Sequence, residues 1–500
     1  MNNGKICVSV CAETAAEMIA NIKRAEENAD VVELRLDCLR PEQLEICLFE
    51  ISNLKFEIPL IATYRSPEQG GHSTATVGER KQFWQTERSG FWAGDVEEDV
   101  LKAPNECSTW IVSFHDFEGL LAGLTGIFDR LYSSKADIVK IAVRADDATD
   151  ALPVWKLIEF AENRGKEFIP IAMGDAGKWT RILGLAHGAY LTYASLDASA
   201  ATAPGQVTAR ELTGVFRVKD LDRNTRVFGI IGDPVSSSFS PYIHNPAFVD
   251  AGINAVFIPF LVKDLDGFMR RMVKPESREV ELNFGGFSVT MPHKQSIMKH
   301  LDAIDPTAEK IGAVNTVQID VDGKLTGYNT DAHGFIKPLK AAYGDLSGAK
   351  VGLFGAGGAA RACVYALNQE NADITVYGRD EEKLRQFGKE FGVNAANIAT
   401  AEPRDFDIIV DATPFGMKGP LEHESIFTSE RLKGVRFVYD LVTKSVDTPL
   451  IKEAKKAGIP TLGGLEMLVA QGARQFEIWT GRQADPAKLR ESVLVRMSEI

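Results

Sequence analysis

The sequence predicts α/β architecture in two successive parts: a (β/α)8 barrel, then a two-domain α/β unit. Three observations predict it. Up to about residue 200, short apolar strand patterns alternate with amphipathic helical ones. Between Thr202 and Asn245 the alternation is broken by TAPGQ, a charged stretch and a fresh apolar run, VFGIIG (227–232). Beyond it, a second alternating set contains a strand, a glycine-rich turn and a helix in KVGLFGAGGAARACVYAL (350–367).

Composition bounds what such a chain can do. Five hundred residues, 45% hydrophobic and 25% charged, are enough for several ordinary globular cores. The net charge of −13, from 69 acids against 56 Lys plus Arg, argues against nucleic acid or an anionic membrane as partner. An anionic small substrate stays open, because local arginines decide that. No apolar run approaches a membrane span, and no secretory signal precedes Lys5. The six cysteines (Cys7, Cys11, Cys38, Cys47, Cys107, Cys363) contain no C-x-x-C pair and read as free thiols in a reducing compartment. No metal site is expected: the histidines lack ligand spacing, and Cys7 and Cys11 stand apart from other soft ligands.

The barrel strands are expected at 5–10, 31–37, 59–65, 91–97, 110–116, 137–143, 168–174 and 189–195, with helices such as 13–27 and 152–165 between them. The fourth, FWAGDVE, is short of β-branched residues. Glu33 and Arg35 alternate on strand two and so share a side. Arg65 ends strand three, His115 ends strand five, and Lys140 lies inside strand six between Val139 and Ile141. A lysine in an apolar strand is costly to bury charged. It is either an outward, snorkelling side chain or a buried amine. A buried amine with a histidine and a carboxylate beside it suits imine chemistry on a carbonyl, and Arg35, Arg65 and Arg181 suit a carboxylate-bearing substrate.

ELRLD, TYRSPEQGG, SFHDF, DIVKIAV, MGDAGKWTRI and TAPGQ resemble, in order and spacing, type I 3-dehydroquinate dehydratase over residues 5–210. The resemblance implies that Lys140 forms an imine with the substrate ketone, that His115 moves protons, and that Glu33 orients His115. It further implies that Ser9, Arg35, Arg65, Arg181, Thr202 and Gln206 hold carboxylate and hydroxyls. Thr202 stands where the family usually has serine, and AGDVEED departs from the family's fourth strand.

After 227–232 comes the loop DPVSSSFSP, carrying Ser238 and Ser240, with a helix expected near Tyr242. FSVTMPHK ends at Lys294, while Asn315 and Asp331 fall at strand or loop ends. Lysine and aspartate in separate loops are more often a surface ion pair than a catalytic one. Gly355, Gly357 and Gly358, with Ala360 in the third place, form a dinucleotide fingerprint in its strand–turn–helix context, so a Rossmann domain is expected. The next strand ends at Arg379, followed by Asp380 and, one turn on, Lys383. Arginine there favours the 2′-phosphate of NADP, although Asp380 weakens the signal.

GDPVSSSFSPYIHN, FSVTMPHK, GAVNT, YNTD, GAGGAAR and GGLEMLVAQGA together resemble shikimate dehydrogenase over 226–500. The resemblance implies that Lys294 and Asp331 act together in proton transfer, with Ser238, Ser240, Thr290, Asn315 and Gln471 holding the substrate. Gly355, Ala356, Gly357, Gly358, Ala359, Arg379 and Lys383 would hold NADP, with Leu441 and Gly464 near the nicotinamide. Ser237, Ser288 and Thr443 replace the family's usual histidine, asparagine and tyrosine. His244, His293 and His333 are expected at the surface or at caps.

The two resemblances fit one another, since the first activity makes the 3-dehydroshikimate that the second reduces. A bifunctional enzyme is therefore expected. Its domains would be a barrel at 1–215, a linker at 216–226, a substrate domain at 227–331 completed by 466–500, and a nucleotide domain at 332–465. The dehydrogenase site would lie in the cleft between the last two. Its partners would be small molecules, its oligomeric state is left open, and its location would be cytoplasmic, or plastid stroma after transit-peptide removal. A quinate dehydrogenase in the second half, a half-active chain and a metabolite-binding regulator are the competing readings. Retention of Lys140, His115, Lys294 and Asp331 as a set argues against the regulator.

Overall fold

The strand patterns of the first half form a parallel barrel in a computed structural model, which describes residues 2–85, 89–100, 109–119, 122–417, 419–443 and 447–499. The strands are β1 (Lys5–Val10), β2 (Val31–Arg35), β3 (Leu60–Thr63), β4 (Ala93–Glu97), β5 (Thr109–Asp116), β6 (Ile138–Arg144), β7 (Glu167–Met173) and β8 (Leu191–Ser195). Their order is β7-β6-β5-β4-β3-β2-β1-β8, with the short β9 (Val207–Thr208) beyond β8. The Tyr190 amide donates to the Phe168 carbonyl at 2.9 Å, linking the β7 and β8 ends of the curl. Helices α1 (Ala15–Ala25), α2 (Pro41–Leu54), α3 (Val77–Gln85), α4 (Leu124–Tyr132), α5 (Leu152–Glu162) and α6 (Lys178–Leu183) alternate with the strands. Helix α1 shows the local logic: Thr14 caps it by accepting from the Glu17 amide, and Ala15, Met18, Ile22 and Ala25 recur on its buried face.

The two-residue period of the strands builds the barrel interior in layers. Cys7, Val31, Ile61, Ala93, Ile111, Ile138, Ile169 and Leu191, one from each strand, form an apolar layer. Two residues further along each strand stand Ser9, Glu33, Thr63, Asp95, Ser113, Lys140, Ile171 and Tyr193. The change from apolar to polar within one period marks where packing ends and a site begins. β4 forms despite its composition because its inward acids find cations: Asp95 pairs with Arg65 and Lys140, and Glu97 with Arg65 and Arg80.

The chain falls into two units. One is Met1–Val227 with Asp233–Ser236 and Asn254–Asn283; the other is Phe228–Gly232, Ser237–Ile253 and Phe284–Ile500. The stretch 216–226, expected as a linker, falls within the first unit. Val218 and Leu221 are buried, and Asn2 Nδ2 donates to the Val218 and Leu221 carbonyls at 2.8 and 2.9 Å. After β10 (Arg226–Gly232) and α7 (Ser240–Asp250), the first unit resumes with β11 (Ala255–Leu261) and α8 (Leu265–Phe268). There the Asp147 carboxylate accepts from the Lys263 and Asp264 amides at 2.7 and 3.2 Å. Helix α7 begins two residues before Tyr242, because Pro241 takes its first turn.

In the second unit, β12 (Phe284–Val289), β13 (Ala303–Ile304), β14 (Thr316–Ile319) and β15 (Leu325–Tyr328) run in the order β10-β12-β14-β15-β13. The β12–β14 and β14–β15 pairs are antiparallel. Helices α9 (Pro306–Ile311) and α10 (Asp331–Tyr343) follow their respective strands. A parallel Rossmann-type sheet comes next, from β16 (Lys350–Phe354), β17 (Asp373–Gly378), β18 (Asn394–Asn397), β19 (Ile408–Asp411), β20 (Phe437–Asp440) and β21 (Thr461–Leu462). Its order is β18-β17-β16-β19-β20-β21. Helices α11 (Gly358–Gln369), α12 (Glu381–Phe391), α13 (Pro449–Lys456), α14 (Gly464–Thr480) and α15 (Pro486–Glu499) complete it.

The expectation of six free thiols is corrected. Cys11 and Cys38 are disulfide-bonded, because β1 and β2 are neighbours and bring their following residues to a Cα–Cα distance of 5.5 Å. Cys7, Cys47 and Cys363 are free and buried, and Cys107 lies outside the described residues. Among the described residues no helix is long and apolar enough to cross a membrane.

Candidate active sites

The polar layer of the barrel opens into a pocket lined among others by Glu33, Arg35, Arg65, His115, Lys140, Arg181, Thr202 and Gln206. Lys140 is 3% exposed, which removes the snorkelling reading. Its amine lies 2.9 Å from Asp95 and 3.5 Å from Glu33, and 4.0 Å over the Tyr193 ring. Asp95 also takes Arg65 at 2.8 Å. Burial opposes the charge on Asp95, but Arg65 and Lys140 outweigh it and hold its carboxyl below the usual range.

Glu33, expected to orient His115, has its carboxylate 3.5 Å from the Lys140 amine. Register places Ser9 and Ile61 beside Glu33. Its carboxylate accepts from Ser9 Oγ at 2.5 Å and Thr63 Oγ1 at 2.9 Å. Gln69 meets His115 instead. Its Oε1 accepts the His115 backbone N–H at 3.0 Å and lies 3.3 Å from Nδ1. Burial, then Arg65 and Lys140, push the His115 pKa well below its ordinary value, so its imidazole is neutral at neutral pH.

The arginines divide the remaining work. Asp37 holds Arg35 by two hydrogen bonds, at 2.9 and 2.8 Å. Arg181 is 2% exposed and donates only weakly, to the Tyr193 carbonyl at 3.4 Å, which leaves Nε and Nη2 unpartnered. Burial lowers its pKa to about 10. Buried guanidinium donors without acceptors, facing a pocket, are complementary to an anionic ligand. In the TAPGQ loop, the Thr202 amide donates to Gln206 Oε1 at 2.8 Å and Gln206 Nε2 donates to Thr202 Oγ1 at 3.1 Å. Gly205 is required there: its φ is +72° and a Cβ would lie 2.1 Å from the Gly174 carbonyl oxygen. Sequence reasoning missed Asp95, Gln69 and Tyr193.

In the second unit, Lys294 Nζ lies 2.6 Å from Asp331 Oδ2. Asn315 Nδ2 donates to Asp331 Oδ1 at 2.8 Å and to Thr330 Oγ1 at 2.9 Å, and Asn315 Oδ1 accepts from the Thr330 amide at 2.8 Å. Asn329 Oδ1 accepts from the Asp331 amide at 3.0 Å, at the start of α10. This lattice fixes the carboxylate, and Thr330 Oγ1 joins it to Gln471 at 3.4 Å. Asn329 and Thr330 were visible in YNTD but passed over. Ser240 is buried, and its amide donates to Ser238 Oγ at 3.2 Å. Thr290 is half-buried, after β12.

Two histidines are not at the surface as expected. His244 is fully buried and His293 nearly so, whereas His333 is exposed. Gln475, a full turn beyond Gln471 on α14, explains His244. Its Oε1 lies 3.2 Å from His244 Nε2 and accepts from Ser288 Oγ at 3.0 Å.

The glycine turn fits a dinucleotide. Gly355 has φ +115°, and a Cβ there would lie 2.6 Å from the Ala412 carbonyl oxygen; at Gly357 a Cβ would meet nothing within 4 Å, so the backbone ahead of α11 is approachable. A Cβ at Gly358 would lie 3.2 Å from Lys294 Cδ, so the lysine of the Lys294–Asp331 pair borders the turn. Asp380 caps α12 by accepting from the Lys383 amide at 3.0 Å, which occupies the acid that had weakened the NADP signal. Arg379 and Lys383 are exposed, with no ion-pair partner among the described residues. Gly464 lies against the Leu441 carbonyl, where a Cβ would be 2.4 Å from the oxygen.

Comparison with known proteins matches both halves. Residues 6–223 match the type I 3-dehydroquinase family model, 230–317 the shikimate dehydrogenase substrate binding domain, and 464–494 the shikimate 5′-dehydrogenase C-terminal domain. The chloroplastic bifunctional 3-dehydroquinate dehydratase/shikimate dehydrogenase of Arabidopsis thaliana is 33% identical over 97% of this chain and 83% of its own length. The chain belongs to this bifunctional family. Its second half alone is 38% identical to the shikimate dehydrogenase (NADP(+)) of Methanocaldococcus jannaschii, over 56% of this chain and all of that one. A crystal structure of a shikimate dehydrogenase in complex with NADP+ matches at 36% identity and a TM-score of 0.50, covering 55% of this chain and 97% of the other.

Proposed function

We propose that the chain dehydrates 3-dehydroquinate to 3-dehydroshikimate and reduces that product to shikimate with NADPH. The dehydratase would occupy residues 1–215. The dehydrogenase would occupy 227–500, with its nucleotide domain at 332–465. The observation that carries the reading is the buried Lys140 amine beside a neutral His115, with unpartnered Arg181 donors lining the same pocket.

In the barrel, the ketone carbon is attacked by Lys140 Nζ, with Asp95 and Glu33 in reach of the proton it sheds. Loss of water leaves a protonated imine, a better electron sink than C=O. His115 then takes the α-proton, the electrons move towards the C=N bond, and the same proton leaves with the β-hydroxyl as water. Hydrolysis of the imine releases the enone and restores Lys140. Arg181, with Arg35 held by Asp37, provides for the substrate carboxylate.

In the second unit, NADPH supplies a hydride when bound. The paired Lys294 and Asp331 supply the proton to the developing alkoxide, and Asn315, Thr330 and Asn329 hold Asp331 in place for it. Arg379 and Lys383 would take the 2′-phosphate. Incubating the protein with 3-dehydroquinate and NADPH should consume NADPH and form shikimate in one tube. Absence of NADPH loss with both 3-dehydroquinate and 3-dehydroshikimate would overturn the reading.

A further inference from the structure

The barrel rim carries a side-chain cluster that the dehydration does not use. Cys11 follows β1, Cys38 closes the turn after β2, and His72 lies in the loop after β3. Three neighbouring strands thus each contribute one soft ligand. One donor atom from each lies within 4.8 Å of the others. None of the three lines the pocket around Lys140. Cys11 and His72 are exposed and Cys38 is half-buried, so ions and small thiols in solution reach them.

A cross-link alone does not account for His72. Its backbone N–H donates to Asp37 Oδ2 at 3.0 Å, and Asp37 directly precedes Cys38, so the main chain at His72 is tied to the turn that carries Cys38. The ends of β1 and β2 are already fixed by their ladder, in which Ser9 faces Glu33 and Val10 faces Leu34, so the folded chain keeps the two cysteines adjacent without the bond.

We propose that Cys11, Cys38 and His72 form a binding site for a soft divalent cation, zinc in particular, which the disulfide closes and reduction opens. A small dithiol supplies two electrons and two protons, becomes its own disulfide, and leaves two free thiols. Cation binding then expels both thiol protons as two metal–sulfur bonds form, a ring nitrogen of His72 gives the third bond, and water takes the fourth position. Zinc–sulfur bonds of about 2.3 Å in a tetrahedron place the sulfurs ~3.8 Å apart, a distance that side-chain rotation opens at fixed Cα positions.

The test uses the full chain, reduced and then freed of reductant under anaerobic conditions, with cobalt(II) as the spectroscopic probe and zinc as competitor. Reduction should raise the titratable thiols by two. Cobalt should then bind at one ion per chain with a thiolate charge-transfer band that zinc bleaches, and the unreduced protein should show no band. Cys38→Ser should lose the band. His72→Ala, at an exposed position, should weaken binding by more than about tenfold. A reduced protein that gains two thiols yet shows no band overturns the proposal, as does His72→Ala binding cobalt like the unaltered chain.

Discussion

His115 shows how a single residue's environment sets its role. Free histidine titrates near 6.5, but burial and the positive charges of Arg65 and Lys140 outweigh the pull of Asp95 and depress its pKa well below that value. A general base must be unprotonated, so His115 in the role proposed for it is ready at neutral pH and remains so under mild acid. The expected outcome is a dehydratase kcat/KM that stays level as pH falls through 6.5 and declines only well below it. Gln69 should act on the same limb, because its Oε1 is the acceptor held against both the His115 amide and Nδ1. Gln69→Ala should lower kcat by about tenfold to a hundredfold with little change in KM. A pH–rate series on both proteins checks this, and a Gln69→Ala enzyme with unchanged kcat would remove the glutamine from the site.

Secondary-structure elements were largely legible because their period is local. Apart from β4, whose composition gives a weak signal, the barrel strands follow from their short apolar runs, and Lys140 could be singled out because it interrupts one such run. What that pattern cannot carry is register between strands. Glu33 reaches Lys140, Ser9 and Thr63 only through the pairing of β1, β2 and β3, and Asp95 hid in a strand whose stability depends on partners far along the chain. Cys11 and Cys38 meet for the same reason. The clearest case in the second unit is Asp411 facing Asp440 across β19 and β20. Both are buried, and Asp411 Oδ2 has no hydrogen-bond partner. Burial, and for Asp411 the neighbouring Asp440 charge, raise both carboxyl pKa values. A raised carboxyl binds its proton in the folded state where the unfolded chain has released it, so the stabilisation is complete at low pH and is lost as pH rises through the folded values. Asp411→Asn keeps the Oδ1 acceptor for the Thr413 amide, which Asp411 holds at 2.8 Å, and removes the charge. Thermal melting should show the variant more stable than the parent at pH 8 by a few degrees, with a smaller difference at pH 6. A variant that melts lower at both values would show that the carboxylate is needed.

At the scale of the whole molecule, the two chemistries should separate cleanly. The partners of Lys140 and His115 described above all belong to the first unit, and those of Lys294 and Asp331 to the second. Substitutions with no shared partner act independently. Lys140→Met keeps much of the side-chain volume and deletes the amine proposed as the nucleophile, while Arg65 still pairs with Asp95. It should reduce dehydration more than about a thousandfold, yet leave reduction of 3-dehydroshikimate by NADPH within about twofold of the parent. Lys294→Met should do the reverse: 3-dehydroquinate is consumed at the parental rate, 3-dehydroshikimate accumulates, and NADPH persists. Mixing the two variants in one tube should then restore shikimate formation from 3-dehydroquinate, because a released intermediate can reach the intact partner site. Parallel loss of both activities in either variant would mean that the sites are coupled, and failure of the mixture with both single activities intact would mean that the intermediate does not leave the chain.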